Sequence, residues 1–323
     1  MYPISIGLRE DKSVTSQIVT FVERLPQDVT SPLPSENFQI ALIGTLDAPV
    51  SLQPDATTQI SQTTRSAITE VVSTLEANPN TPISLAIRPE LIDALGNSTD
   101  EDTSLLTRLQ NAASLQLLPT TYVDVQPDEL LAQRSSDVFT TQLRLGEDVL
   151  AAGLPTMSVN RDAWLQTSTL LTGGALLLRN LGLRTAVLLS NSQKTTANGI
   201  SVFADSTRLV ELKLSSSDRM TAALADTGLS AALTRGSDEP TGGPYLVAQQ
   251  ILAELKVLRS EIIKRDETMS GRGVILSTES GALPTTALVN ALISSIAGQP
   301  DMNFVSLEDL LNTMTISIVD GLP

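Results

Sequence analysis

The sequence predicts an α/β fold of seven or eight βα units, wound as a barrel of mostly parallel strands that is closed or incompletely closed. Three observations carry this prediction. Strand-like apolar runs alternate with helix-like runs along nearly all of the 323 residues. No stretch rich in Pro, Gly or Ser divides them into separate units. Hydrophobic residues make up 41% and aromatic residues only 3%, so a large core is available and must be built mainly from Leu, Ile, Val and Ala. An open doubly wound sheet fits the same periodicity, because the pattern does not encode strand order.

The elements follow in order. Met1–Ile6 reads as a strand and not as a signal peptide. Residues 1–37 are expected to hold that strand and a helix leading into a barrel at 38–315. Phe38–Leu46 is a buried apolar strand, and Thr57–Ala77 a helix with a long polar face. Strand Ile83–Ile87 runs into Arg88-Pro89-Glu90, where proline starts the next helix. A polar loop, Gly96–Thr103, precedes a short helix to Asn111; its acidic run Asp100-Glu101-Asp102 reads as solvated. Strand Leu115–Pro119 leads through the turn Tyr122–Pro127 to a helix ending near Gln133. Asp137–Ala152 is a helix and Met157–Val159 a short strand. Asp162–Leu181 reads as one helix with Gly182 at its C-cap, and Gly173-Gly174 inside it suggests close packing. Strand Thr185–Leu189 ends at Ser190-Asn191-Ser192. Strand Thr207–Leu214 is followed by a helix capped at Ser216 or Ser217. Helix Tyr245–Asp266, strand Val274–Ser277, loop Glu279–Pro284 and helix Thr285–Ala297 complete the barrel. Residues 316–323 read as the start of a strand or a linker to a following domain, so the chain looks like a portion of something longer.

Charge and missing residue types narrow the chemistry. The formal net charge is -15, from 36 acidic and 21 basic residues. A field of that sign repels phosphate backbones and anionic lipid, which argues against nucleic acid as a partner. No apolar run approaches the roughly twenty residues of a membrane span. Cysteine and histidine are both absent. Disulfides, thiolate nucleophiles, zinc–sulfur sites, Ser-His-Asp triads and the usual general base near neutral pH are therefore excluded. No cofactor loop of the GxGxxG or Walker type occurs, so no cofactor and no metal are expected.

Ligands of parallel α/β folds lie at C-terminal strand ends. The residues expected there are Asp47, Arg88, Glu90, Asp124, Asp128, Asp162, Trp164, Ser190, Asn191 and Glu279. A glycosidase needs only two carboxyl groups, so Asp124 with Asp162 or Glu279 is the catalytic pair to test. The plainer alternatives are a helix cap for Asp162 and a favourable dipole position for Asp128. Arg88, Tyr122, Trp164, Ser190 and Asn191 are the ligand-binding candidates. Arg88 has the fork that grips a carboxylate or phosphate, or pairs with a nearby aspartate. The flat ring of Trp164, the sole tryptophan, suits sugar stacking or simply the core.

Five blocks resemble an actinobacterial cell-envelope family of unknown function. Ile83–Leu95 (ISLAIRPELIDAL) resembles its LAVDPxLLDAL block. Leu118–Asp124 through Leu130–Ala132 is similar to PYADxDxxxLA, and Leu181–Ser190 to AGVRTVVLSS. Arg272–Leu276 through Val305–Leu311 resembles the closing unit, and Tyr2–Ile4 with Thr20–Pro26 the entry to the barrel. The resemblance implies a membrane-tethered, extracytoplasmic protein whose central domain is similar to the glycoside hydrolase/deacetylase barrels. It also implies a place beside cell-wall precursor export, with a cell-wall glycan, its precursor or another envelope protein as partner, and membrane contact only through segments outside this chain. NodB-type deacetylases of that superfamily hold a metal with one aspartate and two histidines, and this sequence has no histidine. Arg88 also stands where the family block has Asp. The resulting expectation is a catalytically degenerate glycan-binding or scaffold domain. The rivals are a metal-independent glycosidase using two carboxylates and a purely structural inter-domain module.

Overall fold

Strands that bury residues on both faces need cover on both sides. The computed structural model, which describes residues 2–10, 13–22, 37–159, 161–193, 205–238, 243–265 and 268–317, has that arrangement. The chain opens with an antiparallel hairpin of β1 (Tyr2–Glu10) and β2 (Ser13–Val22). Ser13–Val22 is thus a second strand, and residues 23–36, the remaining stretch for the helix expected ahead of the barrel, lie outside the described part. The first half of the barrel follows as β3 (Phe38–Leu46), α1 (Gln62–Ala77), β4 (Ile83–Ile87), α2 (Pro89–Gly96), α3 (Asp100–Gln110), β5 (Leu115–Leu117), α4 (Pro127–Ala132) and α5 (Ser136–Gly153). The second half begins with β6 (Ala163–Gln166), α6 (Thr172–Asn180), β7 (Thr185–Leu188), α7 (Ser190–Gln193), β8 (Val210–Lys213) and β9 (Arg219–Leu224). It closes with α8 (Thr227–Asp238), α9 (Gly243–Lys264), β10 (Gly273–Leu276), α10 (Thr286–Ala297), β11 (Met302–Phe304) and α11 (Leu307–Thr313).

The barrel strands form two sheets. One runs β10-β3-β4-β5, all parallel, with β11 parallel to the start of β3. The other runs β6-β7-β9-β8, parallel apart from the antiparallel pair β8–β9. Single bridges join them, from Ala225 to Ile275 on one side and from Leu117 to Val159, just ahead of β6, on the other. The fold is therefore α/β and barrel-like with a mostly parallel sheet, and no continuous ladder closes it among the described residues.

Side-chain alternation along each strand divides the core into three. Inward positions Ala41, Ile43, Leu165, Val187, Ala223 and Ile275 pack into one interior cluster. The outward residues of β3, β4, β5 and β10 pack under α1, α9 and α10. Those of β6, β7 and β9 pack with Phe139 and α6. Alanines alternating with Ile, Leu and Val fill this interior without any aromatic side chain. The strands' N-terminal end is stopped by α11, whose Leu307, Leu310 and Leu311 join the interior cluster together with Met314 just after it. Its first amide, Leu307 N, donates to Ser84 Oγ and Gln116 Oε1, both at 3.1 Å. At the opposite end the loop after β10 reaches across the mouth. Gly281 O accepts from Thr45 N at 2.7 Å. A Cβ on Gly281 would meet Leu189 Cδ1 at 2.7 Å, and its φ of +90° is the left-handed conformation that glycine tolerates.

Several expectations are corrected here. Asp162–Leu181 is not one helix, because Ala163–Gln166 pairs with β7 as β6 and only Thr172–Asn180 is helical. The helix expected after Ser217 is instead strand β9 followed by α8. Met157–Val159 contributes a lone bridge and no strand. Asp102 is not solvated: it is fully buried in the capping box of α3, with Arg65 forked on it at 2.6 and 2.8 Å. Gly182 does follow the end of α6, with φ +88° and the paired bonds Gly182 N to Arg179 O and Leu183 N to Leu178 O. Ile316 bridges Leu209, and residues 318–323, where a strand or linker was expected, lie outside the described part. Among the described residues no helix is long and apolar enough to cross a membrane.

Candidate functional site

Because the strands are parallel, the residues that follow them gather at one end. Asp47 follows β3, and Arg88 follows β4 with Pro89 at the first turn of α2. The chain leaving β5 passes Thr120 and Thr121 on its way to Asp124. These three exits converge on Arg88, whose side chain is 11% exposed. Its Nε and Nη2 donate to Oδ1 and Oδ2 of Asp47 at 2.9 and 3.0 Å, a two-pronged contact. Nη1 reaches Thr120 Oγ1 at 3.3 Å and the Thr121 carbonyl at 3.4 Å. Nη2 also lies 3.3 Å from Asp124 Oδ1. Gln126 Nε2 donates to Asp124 Oδ1 at 3.1 Å, while its Oε1 accepts from Ser168 Oγ at 2.7 Å. Ser168 Oγ accepts from buried Gln166 Nε2 at 3.0 Å, and Gln166 Oε1 accepts from Trp164 Nε1 at 2.8 Å. An unbroken line of polar contacts therefore runs from Asp47 to β6.

This line borders a cleft of about 300 Å³ that Thr45, Thr167 and Ser280 also line. A second hollow of about 590 Å³ shares Asp47, Arg88 and Asp124 and adds Val50, Glu90 and Val123. Glu90 is 4% exposed. Its Oε1 accepts from the Ser51 and Leu52 amides at 2.8 and 3.1 Å, fixing the loop after β3, and its Oε2 is buried without a partner among the described residues. The lining is thus rich in hydroxyl, amide and carboxylate groups around a single guanidinium. It does not fit a metal held by an aspartate and two histidines. No imidazole exists, Arg88 engages both Asp47 and Asp124, and no described group of three or more Asp, Glu, His or Cys could hold an ion.

No protein-family model matches this chain, and no curated protein matches it in sequence. Solved structures do match. The 4-α-glucanotransferase of Thermococcus litoralis superposes with a TM-score of 0.59 at 11% identity, over 87% of this chain and 41% of the enzyme's. The α-amylase AmyC of Thermotoga maritima gives 0.59 at 9% identity, over 87% and 76%. An α-mannosidase of Enterococcus faecalis V583 gives 0.54 at 11% identity, over 87% and 30%. The fold is that of the barrel glycosidases. The chain spans less than half of the glucanotransferase and of the mannosidase.

Of the residues predicted for the site, this barrel brings Arg88 and Asp124 together at its mouth. Arg88 adopts the aspartate pairing, so it is not a vacant grip for an anion. Asp162 is corrected: it precedes β6, at the strands' N-terminal end, and pairs there with Arg184 at 3.2 Å. The pair Asp124–Asp162 therefore does not exist as a site. Glu279 belongs to the loop over the mouth, where its amide donates to Thr234 Oγ1 at 2.9 Å, but its neighbours Ser280 and Ala282 line the cleft in its place. Trp164 is 5% exposed and packs edge-on against Phe139, with centroids 5.7 Å apart. Its ring belongs to the core cluster of β6, β7 and β9, and the residue also lines the cleft. Tyr122 turns towards α2 and donates to Asp93 Oδ2 at 3.0 Å; burial and that carboxylate push its hydroxyl up to about 12. Ser190 is fully buried and Asn191 exposed on α7, and neither lines the cleft. The polar residues not anticipated are Thr45, Thr120, Thr121, Gln126, Thr167 and Ser280. Thr45 had a signal, since it shares the inward parity of Ala41 and Ile43 on β3.

Proposed function

We propose that this barrel binds glycan in the cleft beside β3, β4, β5 and β6 and does not cleave it. Arg88 is the observation that carries this reading. A glycosidase of either stereochemistry holds its sugar between two carboxyl groups roughly 5 to 10 Å apart. Here the cleft carboxylates of Asp47 and Asp124 are both drawn onto one guanidinium, which ties up the pair that a two-carboxylate mechanism would need. What remains around it suits recognition: hydroxyls of Thr45, Thr167 and Ser280, and the amide of Gln126, donate and accept as sugar hydroxyls do. The resemblance of its sequence blocks supports a cell-envelope setting, with a cell-wall glycan or precursor as ligand.

Calorimetric titration with cell-wall and α-glucan oligosaccharides, alongside an assay for released reducing ends, tests this. Wild type is expected to bind without releasing product, and Arg88→Met to bind about tenfold more weakly, because Asp47, Asp124 and Thr120 lose the guanidinium that positions them along the cleft. Release of product by wild type that disappears in Asp124→Asn would establish a glycosidase instead. Absence of any bound oligosaccharide would end the glycan reading.

A further inference from the structure

We propose that the hollow beside Arg88 selects ligands carrying a primary ammonium, amino sugars with a free amine being the class that also fills the adjoining cleft. The inference rests on the glycan reading and adds a charge preference to it. Two independent observations support it. Asp47, Glu90 and Asp124 line the hollow against the single cation Arg88, so its charge stays negative after every internal pairing. Asp47 and Asp124 are 47% and 61% exposed, leaving carboxylate surface open beyond their contacts with Arg88. Separately, Glu90 is more than nine-tenths buried in the same wall, with Oε1 committed to the Ser51 and Leu52 amides and Oε2 without a partner.

Buried acceptors ordinarily have donors. An ammonium supplies three N–H groups and a full positive charge. It can therefore face the open sides of Asp47 and Asp124, while Glu90, whose Oε2 is closed off from solvent, adds negative charge from within the wall. An N-acetyl group offers one neutral N–H, and a uronic acid or phosphate would be repelled. The net charge of -15 adds attraction for cations at longer range.

The test is titration with a glucosamine tetramer, its N-acetylated counterpart and cadaverine, at low and high salt. The free-amine tetramer is expected to bind at least about tenfold tighter than the acetylated one, with that margin shrinking in salt. Glu90→Gln keeps an acceptor for the Ser51 and Leu52 amides while removing the charge, and Asp124→Asn does the same on the exposed rim. Each is expected to weaken free-amine binding far more than acetylated binding and so to erase most of the margin; Asp124→Asn answers the question should Glu90→Gln fold poorly. Equal binding of the two tetramers, or a margin intact in both folded variants, would overturn the amine preference and leave the glycan reading standing. Binding of cadaverine alone would uphold amine recognition and end the glycan reading. No binding of any probe would end both.

Discussion

Asp102 is a carboxylate fully removed from solvent, and its neighbours explain how it stays charged. Arg65 forks onto both oxygens, and Thr99 donates its hydroxyl to Oδ2 at 2.7 Å. The Arg65 contact, followed by the hydroxyl bonds, holds the carboxyl well below the usual carboxylate range against the opposing effect of burial. A folded value below the unfolded one gives stability that is present above the unfolded value, about 3.9. That stability is lost as pH falls from there through the folded value. The melting temperature is therefore expected to drop between pH 5 and pH 3, and Asp102→Asn is expected to lower it at pH 7 while flattening the acid side of the profile. A profile for Asp102→Asn that runs parallel to wild type would show that other carboxylates set the acid limit. Arg88 shows the same physics with a different outcome: its aspartates remain partly open to solvent, which leaves them available at the cleft.

At the scale of elements, α6 depends on α4. Its N-cap, Leu171, has no capping side chain, and Asp128 of α4 accepts instead from the Leu171 and Gly174 amides, each at 2.8 Å. The approach is so close that a Cβ on Gly174 would sit 2.5 Å from Asp128 Oδ2. Asp128→Ala is expected to cost about 1–2 kcal/mol as a lost cap, and Gly174→Ala about 1–3 kcal/mol through overpacking. The two should not add, because the clash disappears with the carboxylate. Denaturant unfolding of both single variants and the double variant checks this, and strict additivity would refute the coupling. The position of Gly174 was legible as close packing, but the partner was not, since Asp128 read as a first-turn charge on its own helix. The larger error began at β6. Ala163–Gln166 is a short apolar run buried throughout, without the alternation that marks a strand, and it merges with the apolar pattern of α6. Taking it for helix turned Asp162 from a residue that starts a strand into one that ends the previous strand, which moves it from one end of the barrel to the other. It also hid the strand role of Trp164. The β3, β4 and β5 boundaries are sharper, with Pro89 marking one, and there Arg88 and Asp124 were correctly expected at the mouth. The order of β8 and β9 was not legible, because an antiparallel insertion leaves no trace in periodicity.

At the scale of the whole molecule, neither sheet can bury its inner face alone. Ala41, Ile43 and Ile275 from one sheet meet Leu165, Val187 and Ala223 from the other, and α11 seals the end they share. Among the described residues the sheets touch edge to edge only through isolated bridges, so this common interior and the helices around it hold them together. The two sheets are thus expected to unfold in one transition. Trp164, the sole tryptophan, reports on the sheet of β6, while far-UV ellipticity reports on the helices as a whole. Leu310 of α11 is fully buried, so near Gly273 that a Cβ there would collide with its Cδ1, and it lies remote in sequence from β6. Leu310→Ala is expected to destabilise by about 2–5 kcal/mol through the cavity it leaves. If the interior is truly shared, the fluorescence and ellipticity midpoints in urea should shift together and by the same amount. A Trp164 transition left in place while ellipticity moves would show that the sheet of β6 stands on its own, and that the barrel is two units sharing a mouth.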